Sequence, residues 1–247
     1  MKEDFILYLR EGLKTMGLPD DPEKAEKLYA YYRLMEEKNK VMNLTAITGE
    51  KEVILKHFLD SLAVCRLEET RAMMEDPETK LIDVGTGAGL PGIPLRIFYE
   101  APEMVLFDSL QKRLRFLDEV IEALGLKRIR TLHGRAEDIG HMKEHREAYR
   151  LVVSRAVAPM PVLLEFCLPL CAGDGLFLAY KGAAAEEELA QSGRALKTLG
   201  GALVCCRKVT LPGAEDAAER SIAVFKRSGP TPGKYPRKAG TPAKSPL

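Results

Sequence analysis

The chain has no long uninterrupted apolar run. A membrane-spanning helix needs about 18 or more consecutive apolar residues, and charge-free stretches such as residues 156–164 are far shorter, which excludes a spanning segment. The opening MKEDFILYLREG breaks its apolar stretch at Arg10 and Glu11 and has no small-residue cleavage site. No secretory leader is therefore expected, and the expected location is cytoplasmic. Cysteine is scarce: Cys65, Cys167, Cys171, Cys205 and Cys206 are odd in number, lie in apolar runs and form no CxxC pair. That argues against a disulfide or zinc framework and for reduced thiols packed as small hydrophobes, with Cys167 and Cys171 one turn apart on a buried helix. Internal repeats are lacking as well.

Net charge is nearly absent too, with 37 Lys and Arg against 36 Asp and Glu for a total of +1. Division by position changes that picture. Beyond residue 225 lie six basic residues (Lys226, Arg227, Lys234, Arg237, Lys238, Lys244) and no acid, so the remaining body carries 31 positive and 36 negative charges, a net of −5. A hydrophobic fraction of 46% with 30% charged residues places the chain among soluble globular proteins large enough to bury a real core.

Residues 3–66 show helical spacing: Phe5, Leu9 and Leu13, then Leu28, Tyr31, Tyr32 and Met35, then Val53, Ile54, His57, Phe58 and Ser61. From Lys80 the pattern becomes short apolar runs (81–85, 104–108, 129–134, 151–156, 175–180, 201–209 and 221–226) separated by amphipathic segments. Strands alternating with helices imply right-handed crossovers and a mostly parallel sheet covered on both faces. The last two runs are joined by too short a linker for a crossover helix, so they should pair antiparallel. The expected division is a helical cap over residues 1–70, an α/β domain over 71–227 and a basic, proline-rich tail over 228–247. Such a tail buries too little apolar surface to order itself and is expected to be flexible or ordered by a partner.

The most informative stretch is Asp83-Val-Gly85-Thr-Gly87-Ala-Gly89-Leu-Pro-Gly92, directly after the first strand. Glycines there let the chain turn tightly and let a ligand approach the backbone at the carboxyl end of a strand. Gly87-x-Gly89-x-x-Gly92 formally matches a dinucleotide fingerprint, but in that motif the first glycine of the match closes the strand, and here Gly85 does so. The acidic-x-GxGxG form resembles the first motif of S-adenosylmethionine-dependent methyltransferases. An acid at Asp83 suits a ligand bearing an ammonium and a sulfonium and disfavours a pyrophosphate. Asp108 ends the second strand, where an acid can accept from both ribose hydroxyls or cap the following helix. Arg135-Ala136-Glu137-Asp138 follows the third strand, at the usual place of an adenine-binding turn, although Glu137 also fits a solvated loop acid.

Asn43-Leu-Thr45, His57-Phe-Leu-Asp60-Ser61, Ile82 to Ile93, Asp108-Ser-Leu-Gln-Lys-Arg113, Ser154-Arg-Ala156 and Lys181-Gly182 occur in this order, and together they closely resemble the bacterial RsmG (GidB) family. The resemblance covers roughly residues 25–247. It implies a Rossmann-like class I methyltransferase fold, with a seven-stranded mostly parallel sheet containing one antiparallel strand and a helical cap. It also implies transfer of a methyl group from S-adenosylmethionine to guanine N7 in 16S ribosomal RNA of the small subunit. The chain itself is expected to act as a monomer and to need no metal. Cofactor contacts are implied at Gly85, Leu90, Ala136, Glu137 and Arg155, beside the loop residues Asp83, Gly87 and Gly89 and the ribose acid Asp108.

Guanine N7 presents its lone pair in the ring plane, so no general base is needed and catalysis rests on positioning. Arg155 is expected beside the methyl site, on the methionine carboxylate or guanine O6, or else in a structural ion pair. His57 either lines that site or is a satisfied helix-face histidine. Lys112, Arg113 and Lys181, with Lys234, Arg237 and Lys238 of the tail, are expected RNA phosphate contacts or ordinary solvated cations. His141-Met-Lys-Glu144-His145 matches a zinc-binding HxxEH pattern but lies in a charged connection that offers a metal no buried face. A methyltransferase for another substrate and a cofactor-binding RNA chaperone are the alternatives.

Overall fold

Each of the seven short apolar runs forms a strand in a computed structural model, which describes residues 2–212 and 220–247. They are β1 (Lys80–Val84), β2 (Glu103–Asp108), β3 (Ile129–His133), β4 (Tyr149–Arg155), β5 (Cys171–Lys181), β6 (Gly201–Val209) and β7 (Arg220–Arg227). Among the described residues they form one sheet in the order β3-β2-β1-β4-β5-β7-β6. The first five pair in parallel, and β7 runs antiparallel to both β5 and β6. Crossover direction reverses between β1 and β4, and open α/β sheets place ligands at the carboxyl ends of the strands at such a reversal.

Helices cover both faces. α1 (Lys2–Thr15), α2 (Pro22–Met42), α3 (Glu50–Val53), α4 (Asp60–Leu62) and α5 (Glu68–Glu75) make the cap, with a π-helical turn at Ile54–Leu59 and a 3-10 turn at Ala63–Arg66. Asp21 starts α2 by accepting the N–H groups of Glu23 and Lys24 at 2.9 and 3.3 Å, with Pro22 at the first helical position, and Asn43 closes it at φ 47°. Such a capping side chain stabilises a helix by about 1 kcal/mol. Along the sheet follow α6 (Gly92–Phe98), α7 (Gln111–Ala123), α8 (Ala136–Ile139), α9 (Met160–Cys167), α10 (Ala185–Ala190), α11 (Gly193–Leu199) and α12 (Thr241–Lys244).

Side chains alternate across a strand, so Leu81 of β1 joins one core and Ile82 the other. The Leu81 core also contains Phe5, Leu9, Tyr31 and Phe58 of the cap with Leu106 and Val153 of the sheet. Element type changes near residue 70, but the core runs through. Tyr31 of α2 then donates its hydroxyl to Ala88 O at 2.5 Å, fixing the cap to the glycine loop.

Two expectations are corrected here. Cys167 and Cys171 do not share a helix: Cys167 ends α9, a 3-10 turn at Leu168–Leu170 follows, and Cys171 opens β5, because Pro169 lacks the N–H that would continue the helix. The tail is packed against the body. It folds back over α8 and α9 as a strap, with Thr231, Tyr235, Pro236 and Pro242 buried. Arg146 donates to Thr231 O and Tyr235 O, both at 2.8 Å, and the Arg237 guanidinium pairs with the fully buried Glu165 carboxylate at 2.6 Å. Composition did not reveal this order because it comes from charge-assisted hydrogen bonds and proline packing rather than from apolar area.

Candidate functional site

At the reversal point the first crossover turns on glycine. Gly85, Gly87 and Gly89 have φ of 72°, 60° and 102°, left-handed values that cost an L-residue about 1–2 kcal/mol. Beneath the loop, Asp83 Oδ2 accepts from Thr86 Oγ1 at 2.7 Å and from Gly92 N–H at 2.9 Å, while Phe107 O accepts from the Gly85 and Thr86 N–H groups at 2.9 and 3.0 Å. A Cβ on Gly92 would lie 2.3 Å from Leu106 and 2.9 Å from Asp83 Oδ2, so this close approach requires glycine.

Asp83 is fully buried, which corrects the expectation that it faces a ligand: its carboxylate shapes the loop. Gly87, Gly89 and Leu90 likewise build the turn, with Leu90 N–H donating to Thr86 O at 2.9 Å. Gly85 borders a cavity of about 520 Å³ together with Asp108, Ser109, Ala136, Glu137 and Phe166. Asp108 Oδ1 accepts from Leu110 N–H at 2.8 Å, and its Oδ2 accepts from Gly87 N–H at 2.9 Å and from Arg113 at 3.4 Å. Asp108 does not cap α7, whose N-cap is Leu110 with no side-chain hydrogen bond; its Oδ1 closes a local turn onto Leu110 N–H, and its carboxylate borders the cavity. Glu137 Oε1 accepts from Gly240 N–H of the strap at 3.0 Å.

A second cavity, of about 560 Å³, opens between the cap and the carboxyl ends of β4 and β5. His57, Asp60, Arg155, Lys181, Glu188 and Arg220 are among its lining residues. Ala156, at φ 55°, and Val157 border both cavities, so a single turn after β4 separates them. Val157 packs on the loop so closely that a Cβ on Gly85 would stand 2.4 Å from its Cγ2.

Asp60 is 5% exposed and bridges two cations, with Oδ2 2.8 Å from Arg155 and Oδ1 3.4 Å from Arg220. Arg155 also donates to Lys56 O at 3.1 Å. His57 Nε2 lies 2.8 Å from Thr45 Oγ1, and Asn39 holds Thr45 through both of its backbone groups. His57 Nδ1 is buried with no partner among the described residues.

Lys181 and Arg237 are corrected as RNA contacts. Lys181 is 10% exposed and donates to Ala158 O and Glu188 Oε2, each at 2.7 Å, while Arg237 is engaged by Glu165. Lys112, Lys234 and Lys238 are exposed, and Arg113 is half-buried against Asp108. In the HxxEH segment, His141 Nε2 meets Pro236 O and His145 Nδ1 meets the Tyr149 hydroxyl. The two rings serve separate partners.

Burial, then the positive charge of Arg155, pushes His57 down to about 4. Burial pushes Asp83 up to about 6, against the opposing hydrogen bonds of Thr86 and Gly92. Neutral folded His57 takes a proton on unfolding below its ordinary 6.5, so the stability it contributes is present above that value and is lost as pH falls toward 4. Asp83 works in the opposite sense, because the folded chain keeps its proton up to about 6 and stability falls as pH rises from 3.8. Urea unfolding should therefore show wild type gaining on His57→Asn as pH rises from 4 to 6.5, and losing to Asp83→Asn across nearly the same interval. Differences independent of pH would remove both shifts.

Comparison with known proteins gives a consistent result. A family model described as GidB, rRNA small subunit methyltransferase G, matches residues 24–212. The Ribosomal RNA small subunit methyltransferase G of Desulforamulus reducens is 45% identical over 244 residues, covering 99% of each chain. That of Acetivibrio thermocellus is 46% identical over 239 residues, covering 97% of this chain and 95% of the relative. Among solved structures, a putative sarcosine dimethylglycine methyltransferase from Galdieria sulphuraria superposes with a TM-score of 0.54 at 12% identity, over 73% of this chain and 88% of that one. At that identity the likeness is one of fold.

Proposed function

The chain belongs to the GidB family of small-subunit ribosomal RNA methyltransferases, and from that premise we propose that it uses S-adenosylmethionine to methylate N7 of a guanine in 16S ribosomal RNA. The observation that carries the proposal is the pair of cavities divided by the Ala156–Val157 turn, a glycine-floored one on the β1–β2 side and a cation-rich one beneath the cap. A donor and an acceptor held in these cavities would be neighbours across one turn. Both cavities are built by one chain, so a monomer suffices.

The first cavity fits the cofactor. Gly85 leaves its floor without a side chain, Ala136 and Phe166 offer apolar walls for a purine, and Asp108 supplies an acceptor for ribose. Three of the roughly four acceptor positions on the Asp108 carboxylate are already engaged, leaving about one for a hydroxyl. S-adenosylmethionine, when bound, supplies an electrophilic methyl carbon attached to a sulfonium.

The protein's own contribution is placement. Arg155, fixed by Asp60 and Lys56 O, keeps further N–H donors of its five for a carboxylate or guanine O6. It cannot grip O6 and N7 together, because that would occupy the nucleophilic lone pair. His57, kept neutral, adds no cation where a positively charged group must approach. Lys112, Lys234 and Lys238, exposed on the outer surface, are proposed phosphate contacts.

Mass spectrometry of 16S ribosomal RNA from a deletion strain tests the proposal: one N7-methylguanine should disappear and return on complementation. Full methylation in the deletion strain would sink it. Gly85→Ala, whose Cβ would press on Val157 Cγ2, should weaken S-adenosylmethionine binding at least about tenfold by calorimetry and cost more stability than the ~1–2 kcal/mol of the left-handed φ alone. Unchanged affinity would reject the glycine floor.

A further inference from the structure

We infer that Glu188 reads the Watson–Crick edge of the acceptor guanine, an inference that rests on the reaction proposed above. The chemistry of the base sets the requirement. N7 must stay free for the methyl group, and with O6 it occupies the major-groove edge, so a grip there cannot both discriminate guanine and leave the nucleophile available. The opposite edge carries N1–H and N2–H donors, a pattern no other RNA base presents. A carboxylate, which only accepts, matches it and repels the N1 lone pair of adenine. Single-stranded or extruded bases are commonly read on that edge.

Two acids are among the residues lining the second cavity. Asp60 has one oxygen on Arg155 and the other on Arg220. Glu188 differs: its Oε2 alone is engaged, accepting from Met160 N–H at 2.6 Å and from Lys181 Nζ at 2.7 Å. Among the described residues Oε1 has no hydrogen-bond partner. Lys181, itself tied to Ala158 O, thus acts as a positioning residue that holds the carboxylate at the start of α9. The group is three-quarters buried, with 24% of its side chain exposed, where a hydrogen bond to a base discriminates more than it does in open water. Pre-set orientation on one oxygen with the other unengaged is the state expected of a recognition group before its ligand arrives.

The test uses the full-length protein and small-subunit RNA carrying guanosine or inosine at the methylated position, which is first located in the wild-type product. Inosine keeps N1–H, O6 and N7 and lacks only the N2 amino group. Wild type should methylate inosine about tenfold or more slowly in single-turnover kcat/KM, the discrimination of one good base contact. Glu188→Gln keeps an oxygen for Met160 N–H and Lys181 and offers the base an NH2. It should slow guanosine to a similar degree and bring the guanosine-to-inosine ratio close to one, with S-adenosylmethionine affinity unchanged. An unaltered ratio overturns the inference, as does a wild type indifferent to inosine. Should Glu188→Gln turn over too slowly to measure, the same ratio is taken from equilibrium RNA binding, with the same two outcomes. A wild type that methylates neither RNA would instead overturn the underlying reaction.

Discussion

Replacing Arg237 by alanine should lower the unfolding temperature by roughly 6–20 °C. Glu165 is fully buried on α9, and its carboxylate accepts from Arg237 N–H at 2.7 Å, Nε at 2.9 Å and Nη2 at 2.6 Å. Removing the guanidinium leaves a buried carboxylate with a single backbone donor, and breaking such a pair from one side costs about 3–5 kcal/mol. For a chain of this length each kcal/mol moves the transition by about 2–4 °C. Combining Arg237→Ala with Glu165→Leu should restore much of the loss, because the stranded charge is then gone. The strap also hands Gly240 N–H to Glu137, so cofactor affinity should weaken in parallel. Lys234→Ala and Lys238→Ala, on exposed side chains of the same strap, should leave the unfolding temperature alone and each reduce the salt slope of RNA binding by about one. An Arg237→Ala protein that melts like wild type would show that the strap carries no structural weight.

Asp60→Ala should reduce kcat/KM for methylation about a hundredfold; cofactor affinity stays unchanged if the Arg155 it anchors serves guanine O6 and falls if Arg155 serves the methionine carboxylate. Asp60 fixes Arg155 from α4 and Arg220 from the start of β7, and it lines the second cavity without bordering the first. Without it the two guanidiniums repel and Arg155 loses its 2.8 Å anchor. A displacement of about 1 Å at a reacting centre is enough for a hundredfold effect. Single-turnover rates beside calorimetric affinities separate the two cavities. A normal rate in Asp60→Ala would mean that Arg155 is held adequately by Lys56 O alone.

Much of this was legible in advance for definite reasons. The inner strands were marked by apolar runs, because strands covered on both faces cannot alternate with polar residues; the edge strands β3 and β6 carry partly exposed apolar residues instead. Gly85, Gly87 and Gly89 announced a left-handed loop, because side chains are costly at such φ values. For Asp108 and His57 the sequence left a site role open beside a structural one, and each borders a cavity in the structure. Asp60 stood in that same segment, three residues from His57, and helical spacing alone puts the two on one face. Arg220 and Glu188 carried no comparable signal: one opens an edge-proximal strand, the other sits in an acidic helix start, and such charges are usually solvated.

The sequence by itself determined the sheet and the glycine turn, because periodicity and φ tolerance are local properties that adjacent residues express directly, and its ordered motifs carried the family resemblance that names the ligand. Tertiary structure alone decided how each charge is used. Asp83, expected at the ligand, is buried under the loop; Arg237 and Lys181, expected on RNA, are bound to Glu165 and Glu188; and a proline-rich tail of apparent disorder is an ordered strap. Those partners lie 72 residues apart for Arg237 and Glu165 and 95 for Arg155 and Asp60. The free energy of an ion depends on what surrounds it in space, and no window along the chain contains that information.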